Sequence, residues 1–520
     1  MQLEQFLERS AGRFPEKIAL VCGDRRLTYR EIEEQCNRLA HGLIASGVQR
    51  GDRVAVYLDN SVEAALSIFA ALKAGAVFLM INPTTKTEKL AYILNNCRAT
   101  VLITHAKKLD ALKDGLQQMP HLRNVIVAGT MIKAVESGAK RFVSLNDLLI
   151  EHDTSVGVPA KRCIDIDLAA LIYTSGSTGN PKGVMMTHLN MVTAARSITQ
   201  YLENTHDDII LSALPLSFDY GLYQILMGFL AGATVILEPS FAYPQVILER
   251  LSSENVTGFP LVPTMAAILL QMKGLSPGRF PRLRYITNTA AALPPSHIER
   301  LRGLFPATRI YSMYGLTECK RVSYLPPDQL AIRPSSVGKA IPNTEVYIVD
   351  ERGGRVGSGT VGELVVRGAH VMKGYWEKPE ETDRVLKPGP LPGEKVLYTG
   401  DLFRMDGEGY LYFVGRKDDI IKTRGEKVSP KEVEAVLYTL SEVKEAAVVG
   451  VEDPILGQAI KAVLVLADGA ALSERDVMRH CAARLEDFMV PKSVEFRSSL
   501  PKTTTGKISK RELGLPTGGR

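Results

Sequence analysis

Apolar residues along the first half of the chain come in two alternating rhythms, one of helical period and one of short continuous runs. Between residues 27 and 48, Ile32, Cys36, Leu39 and Leu43 fall on one helical face. Thr28 and Glu31 supply a capping box at its start, and Gly47 stops it. A short apolar run follows at Val54–Leu58, then a helix over about 61–74 closed by Gly75, then a run from Val77 to Ile81 ending at Asn82-Pro83. A helix near 88–96 and the run Val101–Ile103 continue the pattern. It resumes with a helix from about 188, a strand at 209–211, a helix near 222–231 and a strand at 234–237. Strand, helix, strand at this spacing predicts a parallel sheet with crossover helices.

From about residue 345 the texture changes to short strands and Gly-rich turns. Asp350–Gly354 and Asp406–Gly409 are hairpin signals, and Pro388–Gly393 reads as a loop and no element. After Gly415 comes a compact α+β unit. It has a short strand pair, a helix opened by Ser429-Pro430-Lys431-Glu432, strands at 446–451 and 459–466, a helix capped at Ser473 and a strand at 493–497. The fold class expected is α/β: a large N-terminal body over 1–415 and a small α+β C-terminal domain over 416–520.

Composition changes this picture little. The 520 residues carry 45% hydrophobic and 23% charged side chains, as ordinary globular chains do. A net charge of +6, without a basic run interleaved with aromatics, gives no case for nucleic acid. No run approaches the roughly 18 apolar residues of a membrane span. The N-terminus starts as an acidic amphipathic helix, unlike a signal peptide. Six scattered cysteines without a CxxC pair fit reduced thiols in a cytoplasmic protein, and nine dispersed histidines form no metal motif.

The chemistry concentrates in five clusters. Tyr173-Thr174-Ser175-Gly176-Ser177-Thr178-Gly179-Asn180-Pro181-Lys182-Gly183 follows the strand-like Leu168–Ile172. Two glycines bring backbone N–H groups close to a ligand, hydroxyls add donors and Lys182 adds charge, which is what a polyphosphate needs. The order is neither a Walker A nor a dinucleotide fingerprint. A flexible surface loop is the other use of such composition. Tyr314-Gly315-Leu316-Thr317-Glu318 offers an aromatic face, a hydroxyl and a carboxylate. Tyr398-Thr399-Gly400-Asp401 sets an acid after a tight turn. Gly415-Arg416-Lys417-Asp418-Asp419 lies at the expected junction, and Leu500–Lys507 is a basic, Thr-rich stretch near the C-terminus.

Taken in this order, these clusters resemble the adenylate-forming superfamily, which includes acyl-CoA synthetases, peptide-synthetase adenylation domains and luciferases. Gly362–Gly368 and Gly374-Tyr375-Trp376 extend the resemblance, which covers nearly the whole chain. It implies an ATP-dependent, AMP-forming acid–thiol ligase with Mg2+. Thr174, Ser175, Gly176, Ser177, Thr178, Gly179 and Lys182 would hold the β- and γ-phosphates, with the metal near Glu318 and Thr178. Thr317 would contact the α-phosphate, adenine would pack on Tyr314 beside Gly315, and Asp401 and Arg416 would hold the ribose. Lys507 would bridge the attacking carboxylate and the α-phosphate. Asp418 would be the hinge of a rotating C-terminal domain, and Lys422 and Gly425 would border the thiol passage.

On the acid side, Ser217, Phe218, Asp219, Phe259, Asn288, Thr289 and Met313 are the pocket candidates. Many relatives have a histidine where this chain has Phe218. Asp219 falls where amino-acid adenylation domains place a carboxylate for the substrate ammonium, and it serves equally as a cap for the helix near 222. The partners implied are a small carboxylic acid and a thiol, either CoA or the phosphopantetheine of a separate carrier protein, since only thirteen residues follow Lys507. A stand-alone amino-acid adenylating enzyme, a non-catalytic nucleotide sensor and a light-emitting oxygenase are the alternatives. Homodimerisation is left open.

Overall fold

The structure, a computed structural model, describes residues 1–130, 140–151, 157–160, 163–174, 181–272, 274–417, 419–423, 426–453, 456–502 and 508–513. The two rhythms become two large sheets. One has nine strands in the order Lys339–Ala340, Ser323–Leu325, Arg309–Tyr314, Tyr285–Asn288, Gly258–Leu261, Ile209–Ser212, Thr234–Leu237, Ile18–Cys22 and Arg25–Thr28. Its six central strands run parallel, with antiparallel partners only at the edges. The other has eight strands. Six of them, Leu168–Thr174, Val77–Met80, Arg53–Tyr57, Ala99–His105, Asn124–Ala128 and Arg141–Ser144, are parallel. The edge is extended by Lys182–Thr187 and Gly374–Tyr375, both antiparallel.

The helices between the sheets form as their caps dictate. Tyr29–Ala45 starts at Thr28, whose hydroxyl accepts from Glu31 N–H while the Glu31 carboxylate accepts from Thr28 N–H. Its face of Ile32, Cys36, Leu39 and Leu43 is fully buried. Phe69, on the helix Val62–Lys73, stacks on Phe229 of the helix Asp219–Ala231 with ring centroids 5.2 Å apart. Truncating one of such a pair to Ala costs about 3–5 kcal/mol. Three helices meet at Lys73, whose side chain is 0% exposed and whose Nζ donates to Glu8 at 3.0 Å and Glu33 at 2.8 Å. All six cysteines are free thiols, five of them buried.

Beyond the two sheets lie two smaller ones of five strands each. Glu345–Val349, Val361–Arg367, Leu386–Pro388, Lys395–Met405 and Leu411–Arg416 make an antiparallel sheet. Pro388 is part of it, in register with Lys395, so the stretch expected to be wholly loop is the tip of a hairpin. Ile421–Thr423, Glu426–Val428, Val443–Asp453, Gly457–Leu466 and Ser493–Phe496 form the last sheet, over its own buried cluster that includes Val433, Leu437, Ala462 and Val477. The strand ending at Arg416 thus belongs to the sheet before the junction, and the final sheet opens at Ile421.

Ser429 precedes the helix Pro430–Leu437 as expected, but its hydroxyl makes no cap and donates to the Val414 carbonyl in the preceding sheet. Among the described residues no helix is long and apolar enough to cross a membrane.

Candidate functional site

Two antiparallel strands flank the phosphate-loop candidate. Thr174 and Lys182 end one strand and begin the next, and they face each other in register. Ser175, Gly176, Ser177, Thr178 and Gly179 lie outside the described residues, as do Asp418, Gly425 and Lys507; of Lys422 only the backbone, within the strand Ile421–Thr423, is described. The flanking strands are held firmly. Tyr173 donates its hydroxyl proton to Asn96 Oδ1 at 2.5 Å, and Trp376 N–H donates to the Gly183 carbonyl at 2.8 Å.

The strand Gly374–Tyr375 pairs with Val184 and Met185, which explains why those residues matter to the site. Pairing there sets the Tyr375 ring 5.4 Å from Lys182 Nζ and aims its hydroxyl at Glu318 Oε1, 2.8 Å away. Burial, and then the Glu318 charge, push the Tyr375 phenol well above its ordinary range, so it remains a proton donor. Glu318 is anchored from its backbone too, its carbonyl accepting from Met372 N–H at 2.7 Å. Oε2 of Glu318 takes no hydrogen bond among the described residues, so a carboxylate oxygen stays available for a hard cation, whose preference is for oxygen donors.

Thr317 and Glu318 leave the strand Arg309–Tyr314 through Gly315. A Cβ at Gly315 would lie 2.0 Å from the Lys320 carbonyl oxygen, so only glycine permits the loop to fold back this closely. Lys320 holds the returning loop by donating from Nζ to the Thr317 carbonyl at 2.9 Å. Tyr314, at the strand end, donates to Asp401 Oδ2 at 2.5 Å, and Arg416 Nε donates to Asp401 Oδ1 at 3.1 Å. Asp401 sits in the long strand Lys395–Met405, paired with Arg416 across the hairpin. Tyr314 and Arg416, far apart in sequence, therefore share the Asp401 carboxylate. Each of its oxygens keeps a lone pair that ribose hydroxyls could use. Burial and the adjacent Asp401 charge raise the Tyr314 phenol far above its ordinary value.

The acid-pocket candidates divide by sheet face. In register, Leu261, Asn288 and Ser312 lie side by side, so Phe259 and Asn288 project from one face and Met313 from the other. Met313 Sδ accepts from the Tyr201 hydroxyl at 2.9 Å, and Tyr220 bonds Thr287 on the same face at 2.6 Å. Phe259, Asn288 and Thr289 are buried, while Ser217 and Phe218 are half-buried. Asp219 is the first residue of its helix, three residues earlier than expected, and Phe218 takes the cap position. Its nearby cation is Lys320. Burial lowers the Lys320 amine to about 8, and the Asp219 and then the Glu318 charges act against that drop.

The chain matches the AMP-binding enzyme family over residues 7–376 and the AMP-binding enzyme C-terminal domain over residues 432–507. The chain belongs to the AMP-binding enzyme family. It is an adenylate-forming protein, as its ordered clusters imply. It is similar to a long-chain-fatty-acid–CoA ligase of Bacillus subtilis, 32% identical over 98% of this chain and 94% of that protein. Two solved structures are close in fold. An anthranilate CoA ligase, AuaEII, in complex with anthranoyl-AMP aligns with a TM-score of 0.89 at 29% identity, covering 99% of this chain and 96% of the other. ATP-bound MatB of Rhodopseudomonas palustris aligns with a TM-score of 0.87 at 27% identity over 99% and 98%.

Sequence reasoning missed Tyr375 as the partner of Glu318, the sharing of Asp401 by Tyr314, and the cations Lys320 and Arg321, which follow the Thr317-Glu318 pair after Cys319. The last were adjacent to a quoted motif, and two basic residues beside it were the available signal.

Proposed function

We propose that this family member is an AMP-forming acyl-CoA synthetase. The observation that carries the reading is the convergence of Lys182, the Glu318–Tyr375 pair and the Tyr314–Asp401–Arg416 cluster, which suits one nucleotide triphosphate beside one acid. In the first step a substrate carboxylate oxygen bonds to the α-phosphorus. The bond from that phosphorus to the bridging oxygen breaks and pyrophosphate leaves. In the second, the CoA sulfur bonds to the acyl carbon, the thiol proton is lost, and AMP departs with the former ester oxygen.

Lys182 and residues 174–179 bind the β- and γ-phosphates, and Thr317 donates to the α-phosphate. Asp401 and Arg416 receive the ribose while Tyr314 flanks the adenine. Lys507 bridges the carboxylate and the α-phosphate, where negative charge from both partners meets. Glu318, with Thr178, would hold a magnesium ion, which when bound neutralises charge on the leaving phosphates. The chain divides near residues 415 and 416, with Asp418 as the hinge of the C-terminal part and Lys422 to Gly425 beside the thiol passage.

The amino-acid-adenylating alternative is not favoured, because the Asp219 charge it would need for a substrate ammonium already acts on the buried Lys320 amine. Acid-stimulated exchange of pyrophosphate into ATP, followed by CoA thioester formation, tests the proposal over fatty, aryl, dicarboxylic and amino acids. Thioesters formed from carboxylic acids and CoA are the expected result, and exchange stimulated solely by amino acids would overturn it. Lys507→Ala is expected to lower exchange about 100-fold or more, in the range of a lost transition-state contact, while sparing thioester formation from supplied acyl-adenylate. Equal loss in both half-reactions would contradict the bridging role.

A further inference from the structure

The segment Cys319-Lys320-Arg321 folds back beneath the Thr317-Glu318 loop and buries two cations side by side. Lys320 is 1% exposed and Arg321 4%. Two carboxylates stand near them, and both have other commitments. Glu318 accepts from Tyr375, and the Asp219 charge acts on the Lys320 amine. Among the described residues no carboxylate oxygen comes within 4.0 Å of an Arg321 nitrogen. Its Nε is buried without a hydrogen-bond partner, its Nη1 makes only a long bond of 3.4 Å to the Lys320 carbonyl, and its remaining side-chain bond is to the Tyr201 hydroxyl, a neutral group.

An arginine cannot escape burial by losing its proton, because guanidinium stays charged at any physiological pH. What this one has instead is an aromatic enclosure. The guanidinium carbon lies 4.9 Å from the centre of the Tyr220 ring, and its charge reaches the buried phenols of Tyr201 and Tyr223. A ring face attracts a cation, but far less than water did, so the balance remains unfavourable until an anion arrives. Position supplies the rest. The Arg321 Cα packs against Gly315 in the nucleotide loop, and Tyr220 directly follows Phe218 and Asp219 of the acid pocket.

We infer that Arg321 is a specificity-determining residue that receives a second anionic group, a carboxylate by the two-pronged fit of its guanidinium, at the far end of the acid substrate, with Tyr220 flanking it. This deepens the acyl-CoA synthetase reading and rests on it. The substrate class is then dicarboxylic acids and half-acids of comparable charge. One carboxylate is activated at the phosphate and the other remains ionised against Arg321. Plain acyl chains leave the cation uncompensated, which makes the pocket discriminate by the penalty on the wrong ligand as much as by attraction to the right one.

The experiment is pyrophosphate exchange by the full-length protein with succinate, glutarate and phthalate against butyrate, valerate and benzoate, repeated with Arg321→Met and Arg321→Lys. Wild type is expected to prefer the diacids about tenfold or more in kcat/KM. Arg321→Met should lose about 100-fold on diacids and stay within about threefold on monoacids, while Arg321→Lys, which keeps charge without the fork, falls between. A readout that a packing role would not produce is thermal stability without acid: Arg321→Met should melt no lower than wild type, since it removes an unpaired buried charge. In wild type itself, glutarate should raise the melting temperature and valerate should not. Preference for monoacids, equal losses across both sets, or a lower melting temperature in Arg321→Met would each overturn the inference and leave the synthetase reading intact. Absence of exchange with every acid would bring down that reading and this one with it.

Discussion

Two lysines buried equally deep in this molecule are treated in opposite ways. Lys73, at the meeting of three helices, has carboxylates at 2.8 and 3.0 Å, and Glu33 and Glu8 hold its amine above the ordinary value despite burial. Lys320 has Asp219 and Glu318 near it without an ion pair, and burial wins, pulling its amine down to about 8. Arg321 beside it has no carboxylate partner at all among the described residues. A charge whose counterions are supplied by its own chain is scaffold. A charge left in deficit is waiting for something that binds, and that difference separates the two regions more sharply than burial does.

The comparison can be broken most directly at Lys73. Lys73→Met strands Glu8 and Glu33 against each other and is expected to cost about 3 kcal/mol in denaturant unfolding, while kcat per folded molecule stays unchanged. An unaltered stability would mean that the cage contributes nothing and that the contrast is empty. Smaller is the effect expected at Tyr375, whose hydroxyl orients Glu318. Tyr375→Phe should lower the adenylation rate about tenfold or somewhat more, the worth of one hydrogen bond to a charged group, with little change in stability. An unchanged rate would release Glu318 from the role assigned to it.

The smallest effect sharpens the comparison by pH. Because the folded Lys320 titrates near 8 and an unfolded one near 10.5, the unfolded chain holds a proton across that window which the folded chain has given up. Stability therefore gains a component that grows as pH rises from about 8 towards 10.5 and is absent below it. Lys320→Met should flatten that rise in denaturant midpoints measured at pH 7.5 and 9.5. A slope identical to wild type would show that the amine is not depressed.

The sequence made the element pattern legible where local chemistry decides it. The Thr28–Glu31 box and the Ser473–Asp476 box both cap as the residues imply, since their partners lie three positions away. Ser429 shows where this fails: its neighbours permit a box, yet a carbonyl fifteen residues back captures the hydroxyl. Tyr375 and Glu318 are 57 positions apart, and only the edge pairing of Gly374–Tyr375 on the eight-stranded sheet joins them. Arg321 was the hardest to see. A missing counter-charge is a property of everything packed around a side chain, and no local pattern records it.

Ser429 also says something about motion. With its oxygen donating to Val414, the first turn of the helix Pro430–Leu437 is left without a side-chain acceptor. Should the strand and the helix part, the freed hydroxyl can swing inward and serve the Glu432 amide, regaining about 1 kcal/mol of the kind a good cap provides. Undocking would then be partly compensated by the very atom that had opposed it, and the junction would work as a catch.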